Sequence, residues 1–271
     1  MAEFDNELHG KLALITGASG GIGAACARAL WLKGANLALT YSSSEEAMLA
    51  LEEELWTLRQ RNDPEPGIAI ATEAVPPVIS THKVDLAQAD SIERLFASIA
   101  SLHGKPGPDI LVSNAGYGKR TPDIADIDVA EFDYTITVNL RAAFILSKLS
   151  IPHMATQHWG RVVYVSSLAA HGTSINGCHY AASKAGLHGL MKSLAAKHAR
   201  DGITVNDVAP AMIGETGMIP DASHTVGTAG DVRNIPVGRL GRPDEVANVV
   251  MMFCTTGYMT GQSVVLAGGL K

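Results

Sequence analysis

A strand, a glycine-rich turn and a helix follow one another near the start of the chain, and this order constrains the fold more than any other feature. Residues 11–16 form an apolar run of strand length, and the sequence GASGGIG at residues 17–23 follows at once. A helical pattern then runs from about Ile22 to Lys33 and is closed by Gly34. Glycines there allow a close approach to a pyrophosphate, and the free N–H groups of the helix attract its charge. The candidate phosphate-binding residues are Gly17, Ser19, Gly21, Ile22 and Gly23.

Strand-length apolar runs alternate with helical patterns along the rest of the chain. The further runs are residues 36–41, 79–84, 109–113, 161–165, 203–208 and 263–266. Such alternation implies right-handed crossovers and a parallel sheet covered on both faces. We therefore expect one α/β domain over residues 1–271, with a doubly wound parallel sheet of about seven strands. Residues 211–235 are rich in Gly, Met, Thr and Ser, and their length and irregularity predict a lid over the substrate.

Three local predictions concern helix boundaries. Asp90, with Glu93 three residues later, resembles a capping box and predicts a helix start at that point. A helical region at residues 128–159 is expected to break near Pro152. Asn139 lies inside this region, where an asparagine is unfavourable for a helix, so it either faces solvent or makes a specific bond.

Composition excludes several classes of function. A net charge of −6 and a pI of about 5.9 argue against binding to nucleic acid or to an anionic membrane. Three widely spaced cysteines predict reduced and mostly buried thiols, and no Cys and His cluster has the spacing of a metal site. The chain shows neither a signal peptide nor an apolar run of membrane-spanning length, so a cytoplasmic protein is expected. Residues 62–78 carry four prolines and predict a surface excursion.

The fifth apolar run leads into the candidate reaction centre. It ends in Ser166 and Ser167, and a helical pattern runs from Tyr180 to about Arg200. Tyr180 and Lys184 are four residues apart, so they share one helix face. A neighbouring ammonium lowers the pKa of a tyrosine from about 10 toward working pH, where acid–base catalysis is efficient. With Ser167 to bond a carbonyl oxygen, the stretch predicts carbonyl reduction, although Tyr-x-x-x-Lys also occurs by chance.

Ligands bind at the carboxyl ends of the strands in sheets of this type. Four candidate site residues follow such ends: Gly17, Asn114, Ser167 and Pro210. The small residues Ala115 and Gly116 would let the backbone lie against a flat ring, although a plain turn explains them equally well. One crevice could therefore collect all these features.

The end of the second run indicates which dinucleotide is bound. Tyr41, Ser42 and Ser43 stand where NAD-preferring sites usually carry an acidic residue. Without a carboxylate there, a 2′-phosphate is not repelled and the hydroxyls can bond it, which favours NADPH. The serines could instead cap the helix that follows at residues 45–61, and no Arg or Lys lies nearby in the sequence.

In these residues the chain resembles the single-domain short-chain dehydrogenases/reductases, which have a Rossmann fold, over nearly its full length. The matching positions are Thr16-Gly17-x-x-x-Gly21-x-Gly23, Asp85-Leu86, Asn114-Ala115-Gly116, Asn139, Ser167 and Tyr180-x-x-x-Lys184. Ser167 is matched rather than Ser166 because it stands 13 residues before Tyr180, the usual family spacing. The sequence PVGRLGRPDEV at residues 236–246 resembles the 3-oxoacyl-[acyl-carrier-protein] reductase branch.

The resemblance implies a role for each catalytic position. Tyr180 would protonate the carbonyl oxygen while NADPH delivers a hydride to the carbon. Lys184 would bind the nicotinamide ribose and depress the tyrosine pKa. Ser167 would orient the substrate, and Asn139 would hold a water in the proton relay.

Further cofactor contacts are implied in the same way: Asp85 and Leu86 at the adenine, Ile213 at the carboxamide and Thr216 at the nicotinamide end. Ala211 departs from the usual Pro-Gly pair, and one extra residue precedes Thr216. The implied substrate is a small-molecule carbonyl or an acyl thioester, and the implied assembly is a homotetramer. The alternatives are an NAD-dependent alcohol or polyol dehydrogenase and a regulator that binds NADPH without chemistry.

Overall fold

Seven parallel strands form one sheet in the computed structural model, which describes residues 6–62, 77–172 and 174–271. The strands are β1 Leu12–Ile15, β2 Asn36–Tyr41, β3 Ile79–Lys83, β4 Ile110–Ser113, β5 Gly160–Val165, β6 Ile203–Pro210 and β7 Ser263–Leu266. The helices are α1 Gly21–Trp31, α2 Glu45–Asn62, α3 Ala89–His103, α4 Val129–Ile136, α5 Ala142–Thr156, α6 Cys178–His198 and α7 Pro243–Thr255. The predicted excursion at residues 62–78 lies almost entirely outside the described residues.

The strand order β3-β2-β1-β4-β5-β6-β7 confirms the predicted doubly wound sheet. The chain moves outward from β1 to β3, then returns to the other side of β1 to begin β4. The carboxyl ends of β1 and β4 therefore diverge into loops on opposite sides, which opens a crevice between them. This switch point receives the glycine-rich turn and the loop that begins at Asn114.

The sheet is buried on both faces, which explains why its central strands are continuous apolar runs. In β1, Leu12 and Leu14 belong to one core cluster, and Ala13 and Ile15 belong to the other. The cluster of Ala13 and Ile15 also contains residues of α1, α2 and α7, whereas the cluster of Leu12 and Leu14 contains residues of α3, α5 and α6. The alternation of side chains along each strand thus builds two cores from a single sheet.

The predicted capping box at Asp90 is wrong. Helix α3 begins at Ala89 after Gln88, and no side chain caps it. The turn before the helix is closed instead by Asp85, whose carboxylate accepts the Ala87 N–H at 2.9 Å. Asp90 lies within the first turn, where its negative charge interacts favourably with the positive end of the helix dipole.

The predicted break at Pro152 is also wrong. Pro152 lies inside α5, which continues to Thr156. The irregularity falls earlier, where Thr137–Arg141 form a π-helical turn between α4 and α5. This turn contains Asn139, and π-helical turns are frequent at functional sites.

Cys26 and Cys254 are buried as expected, whereas Cys178 is exposed at the first position of α6. Among the described residues, no helix has both the length and the apolar character needed to cross a membrane. The same part of the chain contains no group of three or more His, Cys, Asp or Glu side chains arranged to hold a metal ion.

The carboxylate of Asp109 is fully buried at the amino-terminal ends of the central strands, where it bonds to groups from several elements. Its Oδ2 accepts the Leu12 N–H at 2.6 Å and the Lys105 ammonium at 2.5 Å. Its Oδ1 accepts the Gln157 amide at 2.7 Å and lies 3.0 Å from His153 Nε2. Burial alone would raise the pKa of Asp109, but the bonds from Lys105 and Leu12 outweigh it and hold the pKa below its ordinary value.

We expect Asp109→Ala to lower the free energy of unfolding by about 3–5 kcal/mol at pH 7, because it leaves buried donors without their partner. The folded-state pKa lies below the unfolded value of about 3.9, so the stabilisation is complete above that value and is lost as pH falls through the folded pKa. Urea unfolding at several pH values measures both effects. Asp133→Ala, at an exposed position, is the control and should change stability by less than about 0.5 kcal/mol. Equal stability of the Asp109 variant and the wild type at pH 7 would contradict the assignment.

Candidate active site

The glycine-rich turn presents an uncapped helix end. Helix α1 follows Gly20, no side chain caps it, and its first turn contains no acidic residue. Its first N–H groups are therefore available to an anion, in line with the phosphate site predicted from the sequence. Gly17 has a φ of 64°, a left-handed conformation that favours glycine.

Close packing explains the other glycines of the turn. A Cβ atom on Gly23 would lie 2.4 Å from the Gly17 carbonyl oxygen and 2.8 Å from Asn114 Nδ2. The Asn114 amide donates to the carbonyl oxygens of Thr16 and Gly17 at 2.9 and 3.2 Å. Thr16 Oγ1 in turn accepts the N–H groups of Asn114 and Ala115, both at 3.0 Å. These bonds join the loops after β1 and β4, a role of Thr16 that the sequence reasoning missed.

The segment at residues 211–235 is irregular, as predicted, and part of it lies against the glycine-rich turn. A Cβ atom on Gly21 would lie only 2.2 Å from the Glu215 carbonyl oxygen. Ile213 is buried and pairs with Gly241 in an isolated β-bridge. Thr216 donates its hydroxyl to the Ile213 carbonyl at 3.1 Å. The implied cofactor residues Ile213 and Thr216 therefore lie in one tight turn.

Helix α6 brings Tyr180 and Lys184 to the carboxyl end of β5. The two residues are only 7% and 3% exposed. The Lys184 ammonium donates to the Val165 carbonyl at 2.9 Å and lies 5.7 Å from the centre of the Tyr180 ring. The Ser167 hydroxyl lies near enough to the Tyr180 phenol to affect its pKa. The predicted pair thus shares one helix face and meets the predicted serine.

The electrostatics of this cluster differ from the sequence prediction. Burial raises the pKa of Tyr180 to about 12, and the neighbouring Ser167 hydroxyl only partly opposes this rise. Burial lowers the pKa of Lys184 to about 8, against the opposing charge of Asp207. Protein groups alone therefore do not depress the tyrosine pKa as predicted, because the ammonium is directed at the Val165 carbonyl rather than at the phenol.

Asn139 makes specific bonds rather than facing solvent. Its Oδ1 accepts the Tyr117 N–H at 2.7 Å, and its Nδ2 donates to the Tyr117 carbonyl at 2.9 Å and to Ser183 Oγ at 2.9 Å. A Cβ atom on Gly116 would lie 3.2 Å from Lys184 Nζ and 3.5 Å from Asn139 Oδ1. The loop after β4, the π-helical turn and α6 therefore converge on Lys184. The sequence reasoning did not identify Tyr117 or Ser183, because only the folded chain brings them to Asn139.

The remaining predicted cofactor residues lie away from this cluster. Tyr41 is half-buried and Ser42 and Ser43 are exposed at the end of β2. Tyr41 pairs with Lys83 across the β2–β3 ladder, so a lysine that is distant in the sequence lies beside the end of β2. Asp85 is exposed and Leu86 half-buried after β3, and Pro210 is buried as the last residue of β6.

Comparison with known proteins agrees with this geometry. Residues 11–226 match the family described as short chain dehydrogenase. The chain belongs to the short-chain dehydrogenase family. A 3-oxoacyl-[acyl-carrier-protein] reductase FabG from Rickettsia bellii is 35% identical over 271 residues, which is 97% of this chain and 98% of that protein. An acetoacetyl-CoA reductase from Shinella zoogloeoides is 32% identical over 268 residues, which is 96% of this chain and 98% of that protein.

A solved short-chain dehydrogenase/reductase from Serratia marcescens has the same fold. Its TM-score is 0.81 at 29% sequence identity, and the match covers 97% of this chain and 99% of that one. The family predicted from the sequence is confirmed. The protein is therefore an oxidoreductase of the short-chain dehydrogenase family, with the crevice above the switch point as its candidate site.

We expect Gly23→Ala to lower the free energy of unfolding by about 1–3 kcal/mol, because backbone atoms must shift to admit the methyl group. The same shift should weaken dinucleotide binding at least about tenfold. Gly189→Ala in α6, where an added Cβ meets nothing within 4 Å, is the matched control. It should be neutral or stabilising by up to about 1 kcal/mol. Urea unfolding and dinucleotide titration test both variants, and equal behaviour of the two would contradict the packing argument.

Proposed function

We propose that this protein is an NADPH-dependent carbonyl reductase that converts a 3-oxoacyl thioester or a ketone into the hydroxy product. The observation that carries the proposal is the cluster of buried Tyr180, Lys184 and Asn139 with half-buried Ser167 beside the crevice. The names of two relatives, a 3-oxoacyl-[acyl-carrier-protein] reductase and an acetoacetyl-CoA reductase, support the thioester class.

The chain offers a fitting cradle for the dinucleotide. The uncapped start of α1 suits the pyrophosphate, and the glycines of the turn leave no side chain in its way. The residues that would hold the dinucleotide are Gly17, Ser19, Gly21, Ile22, Gly23, Tyr41, Ser42, Ser43, Asp85, Leu86, Asn114, Ala115, Gly116, Tyr180, Lys184, Pro210, Ile213 and Thr216. When bound, the nicotinamide supplies a hydride for the carbonyl carbon.

Tyr180 acts as the general acid. Because burial raises its pKa to about 12, the phenol is protonated at neutral pH and has a proton to give to a carbonyl oxygen as that oxygen gains charge. Ser167, beside the phenol, donates its hydroxyl to the same carbonyl oxygen and orients it. The Lys184 ammonium, anchored on the Val165 carbonyl, holds the nicotinamide ribose, and Asn139 holds the water that returns the proton.

The homotetramer implied by the resemblance stays a prediction.

The preference for NADPH rests on the end of β2. The chain has no carboxylate at Tyr41, Ser42 or Ser43 to repel a 2′-phosphate. The hydroxyls can donate to that phosphate, and Lys83 adds a positive charge beside Tyr41. The same residues would leave the two hydroxyls of the NADH ribose without their usual acidic acceptor.

Tyr180→Phe removes the proton donor while keeping the ring that fills the site. We expect kcat to fall by roughly 10²–10⁴-fold, because general acid catalysis contributes about that much, with dinucleotide affinity retained. The assay follows NADPH oxidation with acetoacetyl-CoA and with a panel of ketones. Tyr134→Phe, at an exposed tyrosine, is the control and should retain wild-type turnover. Full turnover by the Tyr180 variant would contradict the proposed mechanism.

Ser42→Asp tests the cofactor preference. The wild type should bind NADPH at least about tenfold more tightly than NADH, and the new carboxylate should reverse this by repelling the 2′-phosphate. Fluorescence titration of both dinucleotides measures the two constants. Ser101→Asp on α3 introduces the same charge elsewhere and should leave the ratio unchanged. Tighter binding of NADH by the wild type would favour the NAD-dependent dehydrogenase instead.

A further inference from the structure

A fully buried carboxylate, Asp207, lies in β6 behind the candidate reaction centre. Its Oδ1 accepts the hydroxyls of Ser166 at 2.8 Å and of Ser263 at 3.0 Å. Its Oδ2 lies 2.7 Å from His188 Nε2, although without the geometry of a directed hydrogen bond. A buried charge is costly unless it is paired, so these contacts explain how the carboxylate is tolerated.

The contact with Ser166 places Asp207 directly behind two parts of the site. Ser166 lies between Val165, whose carbonyl accepts the Lys184 ammonium, and Ser167, whose hydroxyl neighbours the Tyr180 phenol. Ser166 also donates its N–H to the Val208 carbonyl at 2.9 Å. Its backbone and its side chain are thus both anchored to β6, and this fixes the strand end that carries both contacts.

The contact with His188 ties helix α6 to the same carboxylate. His188 follows Lys184 by four residues, so it lies one helical turn further along the same face. The His171 ring lies 4.4 Å from the His188 ring, and Ser263 Oγ is within 3.4 Å of one nitrogen of each. The polar groups around Asp207 therefore come from the turn after β5, from β7 and from α6.

We propose that Asp207 is a positioning residue for the proposed carbonyl reduction, which holds the end of β5 through Ser166 and helix α6 through His188. This inference rests on the proposed function. In the part of the chain that the structure describes, Asp207 forms no hydrogen bond with Tyr180 or Lys184. It therefore acts on them through the end of β5, which it holds, and through the electrostatic effect of its charge.

The direction of the electrostatic effect is fixed by the surroundings of Lys184. Burial lowers the pKa of Lys184 to about 8, and the charge of Asp207 opposes that shift. Loss of the carboxylate charge would lower the pKa of Lys184 further. An ammonium is present only below its pKa, so activity that requires it would then be lost at a lower pH.

Two variants separate charge from geometry. Asp207→Asn keeps an acceptor oxygen for Ser166 and removes the charge. We expect the alkaline limb of kcat to move about one pH unit lower, which lowers kcat roughly five- to tenfold at pH 8.5 and less than twofold at pH 6. Ser166→Ala keeps the charge and removes the bond, so kcat should fall severalfold at every pH with the limb unmoved. Asp201→Asn removes an ion pair with His198 outside the site and should change neither.

An NMR titration gives a readout that does not depend on turnover. The ¹³Cε signal of Lys184 in lysine-labelled protein, assigned with Lys184→Arg, should titrate at a lower pH in Asp207→Asn than in the wild type. If the wild type reduces no carbonyl compound, the proposed function fails, whereas the titration still decides the coupling. An unshifted titration in folded Asp207→Asn would overturn the proposal. Should that variant fail to fold, Ser166→Ala decides, and a wild-type kcat in Ser166→Ala would overturn it.

Discussion

The buried ammonium of Lys184 on the Val165 carbonyl is the interaction on which the rest of the site depends. Removing a charged amine from water is unfavourable unless it keeps a partner, and the free carbonyl at the end of β5 provides one. The contact joins α6 to the end of β5, while Leu187 and Met191 pack the same helix into the core. Tyr180 lies one turn earlier on the same face, next to Ser167. The bond between helix and strand end thus helps to bring three candidate catalytic residues together.

The strand order places that contact beside a site for a dinucleotide. Hydrogen bonds between Thr16 and Asn114 join the loops after β1 and β4. The glycine-rich turn and the loop that contacts Lys184 therefore form one continuous surface. Gly23 and Gly116 occur where an added side chain would meet the neighbouring loop or the Lys184 ammonium itself. The small residues are thus explained by the packing of the protein, before any ligand is considered.

The periodic parts of the fold were predictable because local pattern decides them. Strand and helix order, the glycine-rich turn and the shared face of Tyr180 and Lys184 all follow from spacing along the chain. Features that depend on distant partners were not predictable. The helix at Pro152 continues unbroken. Lys83 lies beside the end of β2 only because of the register between β2 and β3. The buried bond between Asn139 and the Tyr117 N–H joins residues that are 22 positions apart. The prediction of a lowered Tyr180 pKa was wrong for the same reason, since burial raises that pKa and the Lys184 ammonium is directed at the Val165 carbonyl.

The central claim is that a phenol held by Ser167 gives its proton to the oxygen of a carbonyl whose carbon accepts a hydride from the dinucleotide. A crystal structure of the complex with NADP⁺ tests this most directly. The account predicts that the nicotinamide C4 atom lies about 4 Å from the Tyr180 hydroxyl, with space for a carbonyl group between them. A nicotinamide bound elsewhere, or a Tyr180 hydroxyl turned into the packed interior, would contradict it.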